Sequence, residues 1–185
     1  MSYEDLFTDY LFSMFGQING TRSESTIVGY ENYFKTWAQG RSTVNGTYVA
    51  LRQVFNAAYW TVTDATSDII YMPSASDVNA IMDISPARCN VSTNIWNPAY
   101  QMIMYANAAV EGISTSPIKN EEKAPLIAEA KVMRAFWYYQ LTSLFGDVPF
   151  YFDNVTDSEV MNRIAKYPRM DAVATRTALI EDLQK

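Results

Sequence analysis

The chain has 185 residues, 49% of them hydrophobic and 18% charged, with a net charge of −6, a composition that supports one packed domain and sets wholesale disorder aside. No strongly basic block is present, so the electrostatic footprint of a nucleic-acid binder is missing. There is no His, and the single Cys89 has no CxxC partner, which removes the commonest general base and metal ligand, every Ser–His or Cys–His nucleophile pair, and an internal disulfide.

Met1-Ser2-Tyr3-Glu4-Asp5 has no basic n-region, so no signal peptide is read there. Ser2 is placed to cap a first helix, with Glu4 and Asp5 in its opening turn where the helix dipole favours negative charge. Tyr3, Leu6, Phe7, Tyr10, Leu11, Met14 and Phe15 recur at helical spacing. The other face is acidic rather than basic, which fits packing on another helix better than lying on a membrane. Residues 19–46 are rich in Gly, Ser, Thr and Asn and read mainly as loop, with a short aromatic helix over 30–37 and a turn at Asn45-Gly46. A second helix is predicted over 47–63, with Tyr48, Leu51, Phe55, Ala58, Tyr59 and Val62 on one side.

Between 64 and 93 the periodicity fades, and Pro73 and Pro86 punctuate it. A thirty-residue connection is long for a compact domain and marks a candidate binding loop. The third helix is expected to start near 93–97: Asn97 as cap with Pro98 as first helical residue fits, the missing N–H of proline being harmless there, and the alternative is a start at Thr93, which would strain Pro98. Trp96, Tyr100, Ile103, Asn107, Val110 and Ile113 form its stripe, and Asn107 must find hydrogen-bond partners if it is buried. Residues 89–110 carry no charge but too many polar groups to span a bilayer. The fourth helix is expected over about 124–145, since Pro125 argues for a start near Lys123. Its stripe is Leu126, Ala130, Met133, Trp137, Leu141 and Leu144, with Gly146 as left-handed C-cap and Pro149 blocking continuation. Residues 148–152 read as a short extended segment. A last helix is expected from Asp171, with Val173, Thr177, Ile180 and Leu183 on one face.

No GxGxxG, P-loop, HExxH or EF-hand pattern occurs, so no cofactor and no metal are expected. Asp64 and Asp68 would share a face if their segment were helical, an arrangement open to acid and base work on a glycosidic bond. The plainer reading is two carboxylates at a helix end.

The run Glu129-Ala130, Arg134-Ala135, Tyr138 and Leu141, followed by Phe145-Gly146-Asp147-Val148-Pro149, resembles the signature of the SusD/RagB family. Upstream, Trp96, Tyr100, Ile103 and Ala106-Asn107 are similar to that family's preceding helix. Downstream, Pro168-Arg169 and Ile180-Glu181-Asp182-Leu183 are similar to its closing one. The three motifs stand in the family's order and cover about residues 93–185. The resemblance implies a mostly α fold of tetratricopeptide-like helical hairpins with long loops, in a protein that binds a glycan or other nutrient without changing it. It implies an outer-membrane, surface-exposed lipoprotein that delivers its ligand to a TonB-dependent, SusC-like transporter. Family members are much longer and carry a lipoprotein signal with its Cys, so residues 1–185 are expected to be a single N-terminal helical region of a longer protein. The family's early loops contribute to the ligand site, and the matching region here is 64–93. Within it Asp68, Asn79, Arg88 and Asn90 are the candidates to hydrogen-bond sugar hydroxyls, and Tyr71 the candidate to stack on a sugar face. The competing readings are a helical protein-interaction scaffold and a glycosidase using Asp64 and Asp68.

Overall fold

A computed structural model describes residues 37–55, 59–64 and 90–185, with the backbone alone for 61 and 90–93. The described residues are mostly helical. In chain order they form α1 (Trp37–Gly46), α2 (Leu51–Gln53), α3 (Tyr59–Thr63), α4 (Asn90–Thr115), α5 (Asn120–Phe145), β1 (Val148–Pro149), α6 (Ser158–Ile164), β2 (Arg169–Met170) and α7 (Ala172–Leu183). The helix expected over the first residues and all but the last residue of the short aromatic helix expected over 30–37 lie outside the described residues. Among those described, no helix is long and apolar enough to cross a membrane.

The two longest helices, α4 and α5, form an antiparallel hairpin around which the rest is arranged. Trp96 packs on Phe145 at one end, and Lys123 Nζ donates to the Ser114 carbonyl at the other. The stripes read from the sequence are the buried faces. Trp96, Tyr100, Ile103, Asn107 and Ile113 on α4, and Leu126, Ala130, Met133, Trp137 and Leu141 on α5, are all buried. Both helices begin earlier than expected, and each runs through a proline. Helix α4 starts at Asn90 and carries Pro98 in its interior. A proline there costs about 3 kcal/mol, but the added turns bury Ile95 and Trp96, each worth roughly 2–3 kcal/mol. Helix α5 starts at Asn120 and carries Pro125. One bond is forfeited in the second turn, while Glu121 and Glu122 sit at the positive end of the dipole and Ile118 and Leu126 are buried on either side. Gly146 does terminate α5 with a positive φ of 73°, but its ψ of −124° lies outside the left-handed helical region expected of it.

Residues 37–46, read as loop, form α1. Their weak helix formers are held by packing, with Gly40 and Val44 buried. A Cβ on Gly40 would come within 3.1 Å of Leu126 Cδ1 and 3.3 Å of Ile118 Cδ1, so glycine here permits close approach of α1 to the hairpin. The single helix expected over 47–63 is broken. The Thr47 carbonyl accepts from the buried Trp137 indole at 3.2 Å, and the Leu51 N–H turns to Tyr48 instead. Leu51, Phe55, Tyr59 and Val62 of the expected stripe pack on the core, whereas Tyr48 is exposed; Ala58 lies outside the described residues.

After the hairpin, β1 and β2 pair antiparallel, Val148 opposite Met170 and Pro149 opposite Arg169. This agrees with the extended segment read over 148–152. Between them lies α6, for which no helix was expected. The Asp157 carboxylate caps it, accepting from the Glu159 and Val160 N–H groups at 2.8 and 2.9 Å. Those bonds, the Val160 one first, hold the Asp157 carboxyl below its ordinary pKa. Asp171 caps α7 in the same way, at the position where the sequence places the start of the last helix. The face read for α7 is the outer one. Val173, Thr177, Ile180 and Leu183 are exposed, while Thr175 and Leu179 are buried. The rotation is set by Asp182, which must lie inward to meet cations on α5.

Candidate functional site

The family-signature residues have one clear use in this fold, which is to hold the segment after the hairpin in place. Arg134 is 3% exposed. Its Nη1 donates to Asn107 Oδ1 at 2.8 Å, its Nη2 donates to Asp182, and its guanidinium lies 4.0 Å over the Phe152 ring. Lys131 Nζ lies 3.2 Å from Asp182 Oδ1 and donates to the Asp182 carbonyl at 2.9 Å. Asn107 donates on to the Asp153 carbonyl at 3.1 Å, so its expected need for partners is met. Tyr138 accepts from the Tyr151 N–H at 3.0 Å and donates to its carbonyl at 2.9 Å, and Tyr100 donates to the Pro149 carbonyl at 2.8 Å. Burial raises the pKa of Tyr100, Tyr138 and Tyr151 alike, so all three stay neutral at physiological pH and Tyr100 and Tyr138 keep the bonds they donate.

On the far face of α5, Glu129 receives both arms of the Arg41 guanidinium and the Tyr48 hydroxyl. The Arg41 bonds hold the Glu129 carboxyl below its ordinary pKa, the same contact raises that of Arg41, and desolvation raises that of Tyr48. Glu129 and Asp182 are thus committed to cations and serve as structural anchors. Among the described residues no group of three or more His, Cys, Asp or Glu side chains is close enough to hold a metal ion.

Of the residues chosen as ligand contacts, Asp68, Tyr71, Asn79 and Arg88 lie outside the described residues. Asn90 is the first residue of α4, described by its backbone alone. The two elements that bracket the candidate loop are described, and α3 packs on α4. At the loop's near end, Asp64 N–H closes a helical turn on the Trp60 carbonyl at 3.0 Å, and the Thr63 hydroxyl donates to Asp64 Oδ2 at 2.6 Å. Trp60 itself is 55% exposed. Sequence reasoning passed over it because it stands off the apolar stripe of its segment. A large aromatic off the stripe was the available signal.

Comparison with known proteins agrees with this scaffold. A model of the SusD-like family described as "Starch-binding associating with outer membrane" matches residues 59–184. SusD-like protein P25 of Formosa agariphila is 26% identical over 174 residues, covering 85% of this chain and 32% of that protein. SusD-like protein P2 of the same organism is 25% identical, covering 98% of this chain and 37% of its own length. The chain therefore spans about a third of the length of these curated relatives. No solved structure matches it significantly. With the family model matching across both long helices, the segment of β1, α6 and β2, and α7, this chain belongs to the SusD-like family.

Proposed function

We propose that the chain is the helical part of a glycan-binding protein at the outer membrane, one that holds its ligand without altering it and passes it to a TonB-dependent, SusC-like transporter. The observation that carries this reading is the match of residues 59–184 to a family described as starch-binding and associated with the outer membrane. The architecture supports it. The α4–α5 hairpin is braced by the Arg134–Asn107 bond and tied to α7 through Asp182, and α3 and α4 flank the 64–93 segment in the sequence. Binding residues are commonly carried on loops that a helical scaffold positions. In this reading Tyr71 stacks on a sugar face, while Asp68, Asn79, Arg88 and Asn90 hydrogen-bond its hydroxyls. A surface lipoprotein anchor and membership of a longer polypeptide belong to the same proposal.

Native gel electrophoresis through soluble starch, laminarin or galactomannan tests it. The chain is expected to be retarded by at least one of them and to release no reducing sugar from it. Turnover that disappears in Asp68→Asn would instead establish the glycosidase reading.

One observation favours a second reading, a helical interaction scaffold. Val132 and Tyr139 on α5 and Val173, Ile180 and Leu183 on α7 are all exposed, and Arg176 over the Tyr139 ring ties the two rows together. Passage through every polysaccharide gel unretarded, with a protein partner bound at this face, would select it.

A further inference from the structure

We propose that α7 is a detachable strap: it opens from the hairpin as a unit while α4 and α5 stay folded, and opening uncovers the Arg134 guanidinium. The device is separate from the ligand reading above and rests on how α7 is fastened.

Helix α7 is held mainly by polar contacts. Of its 12 residues only Thr175 and Leu179 are buried, and Val173, Ile180 and Leu183 are exposed. Helix α5 instead buries Leu126, Ala130, Met133, Trp137, Tyr138 and Leu141. Apolar burial against a neighbour supplies most of a helix's stability in a protein, so the two helices are held unequally. What fastens α7 is the Asp182 carboxylate on Arg134 and Lys131, the Asp182 carbonyl on Lys131 Nζ, Arg176 on the Thr142 and Ser143 hydroxyls at 3.1 and 3.3 Å, and the Ala172 N–H on Asp147 Oδ1 at 3.1 Å. On opening, each is exchanged for bonds to water, so its net hold is a fraction of its bare strength. Two buried groups here are also short of partners: Thr175 Oγ1 and Arg134 Nε have no hydrogen bond among the described residues. Opening lets water reach both, which favours the open state. A hinge is present as well. β2 stays paired with β1, Val148 opposite Met170 and Pro149 opposite Arg169, while Asp171 caps α7 with its own carboxylate, so the helix keeps its cap as it swings. Segments with few buried apolar contacts are the ones that open below the free energy of global unfolding.

Hydrogen exchange read by mass spectrometry on the whole chain at neutral pH tests this, with Arg176→Ala, Leu126→Ala and Ile113→Val beside the wild type. Leu126 and Ile113 lie in a smaller core cluster with Val44, Ala109 and Ala130, which holds no residue of α7. In the wild type, α7 amides are expected to exchange about tenfold or more faster than those in the middle of α4 and α5. Arg176→Ala should speed α7 several-fold further. Leu126→Ala should speed the hairpin amides about thirtyfold or more and leave the α7 rate as it was, because the closed and strap-open states share that cluster. Ile113→Val gives the same split in smaller measure and serves where Leu126→Ala does not fold. Phenylglyoxal, which reacts with accessible guanidinium groups, should label Arg134 at a rate that rises with α7 exchange in Arg176→Ala and not in Leu126→Ala. Equal protection in α7 and the hairpin, or α7 amides that quicken in step with the hairpin in Leu126→Ala or Ile113→Val, would mean that α7 leaves only in global unfolding and would overturn the inference. An α7 rate or an Arg134 labelling rate unmoved by Arg176→Ala would overturn it too.

Discussion

A guanidinium taken out of water needs an anion and good geometry, or its burial destabilises the fold. Arg134 has Asp182 as its anion, Asn107 as a neutral partner and the Phe152 face beneath it. Its Nε finds no hydrogen-bond partner among the described residues, so the site has little margin. This makes the two ends of the ion pair unequal. Asp182→Ala strands a buried cation and should destabilise the chain by about 3 kcal/mol or more. Arg134→Met removes the charge and keeps most of the volume. It leaves Asp182, 15% exposed, still paired with Lys131 at 3.2 Å, and should cost about 1–2 kcal/mol. Urea unfolding at neutral pH checks the order, and Arg134→Met as the costlier change would refute it. The sequence marks Asn107 as a group that needs partners if buried and Arg134 and Glu129 as signature residues. It could not say which partners, because Asp182 is 48 residues from Arg134 and Arg41 is 88 from Glu129. Those separations are closed only by the turns between helices.

The same dependence on distant partners explains what was legible at the level of elements. The stripes of α4 and α5 were plain because burial follows a 3.6-residue period along a helix with a facing neighbour. Helix starts were misjudged at Pro98 and Pro125, where a local cost is outweighed by burial of Ile95, Trp96 and Leu126 against other segments. Helix α1 was missed for a related reason, since Gly40 is favourable only where Leu126 and Ile118 approach it. On α7 the periodicity was real but the side was reversed, because Asp182 sets the rotation and no local pattern records that. This can be measured. Leu179 is 5% exposed, so Leu179→Ala should cost about 2–4 kcal/mol. Ile180 is 57% exposed, and Ile180→Ala should stay within about 0.5 kcal/mol of wild type. Equal losses at the two positions would mean that the outward row is covered in solution.

Across the whole molecule, α1 and its following turn are fastened to the hairpin by contacts that span 81 to 90 residues of sequence: Tyr48 and Arg41 to Glu129, and Thr47 to the Trp137 indole. Such closures were invisible in the sequence for the reason that makes them informative in the structure: they join segments with no shared local pattern. The sequence offers a candidate region through the loss of periodicity after Asp64, and residues 65–89 of it lie outside the described ones. The Arg41–Glu129 link also carries a pH signature. Arg41 lowers the Glu129 pKa from its ordinary 4.5, so the folded chain holds that proton less tightly than the unfolded one. The resulting stability is therefore present above pH 4.5 and is lost as the pH falls through the lowered value. The two side chains are 28% and 30% exposed, so solvent screening keeps the link to no more than about 1 kcal/mol. Glu129→Gln should accordingly lower the urea midpoint slightly at pH 7, and its difference from wild type should shrink as the pH falls below 4.5 and through the lowered Glu129 pKa, where the wild-type carboxyl takes up its proton. Salt should narrow the pH 7 difference as well, since the pair is within reach of counterions. A gap that persists unchanged through that acid fall would assign the loss to packing of the Glu129 stem and not to its charge.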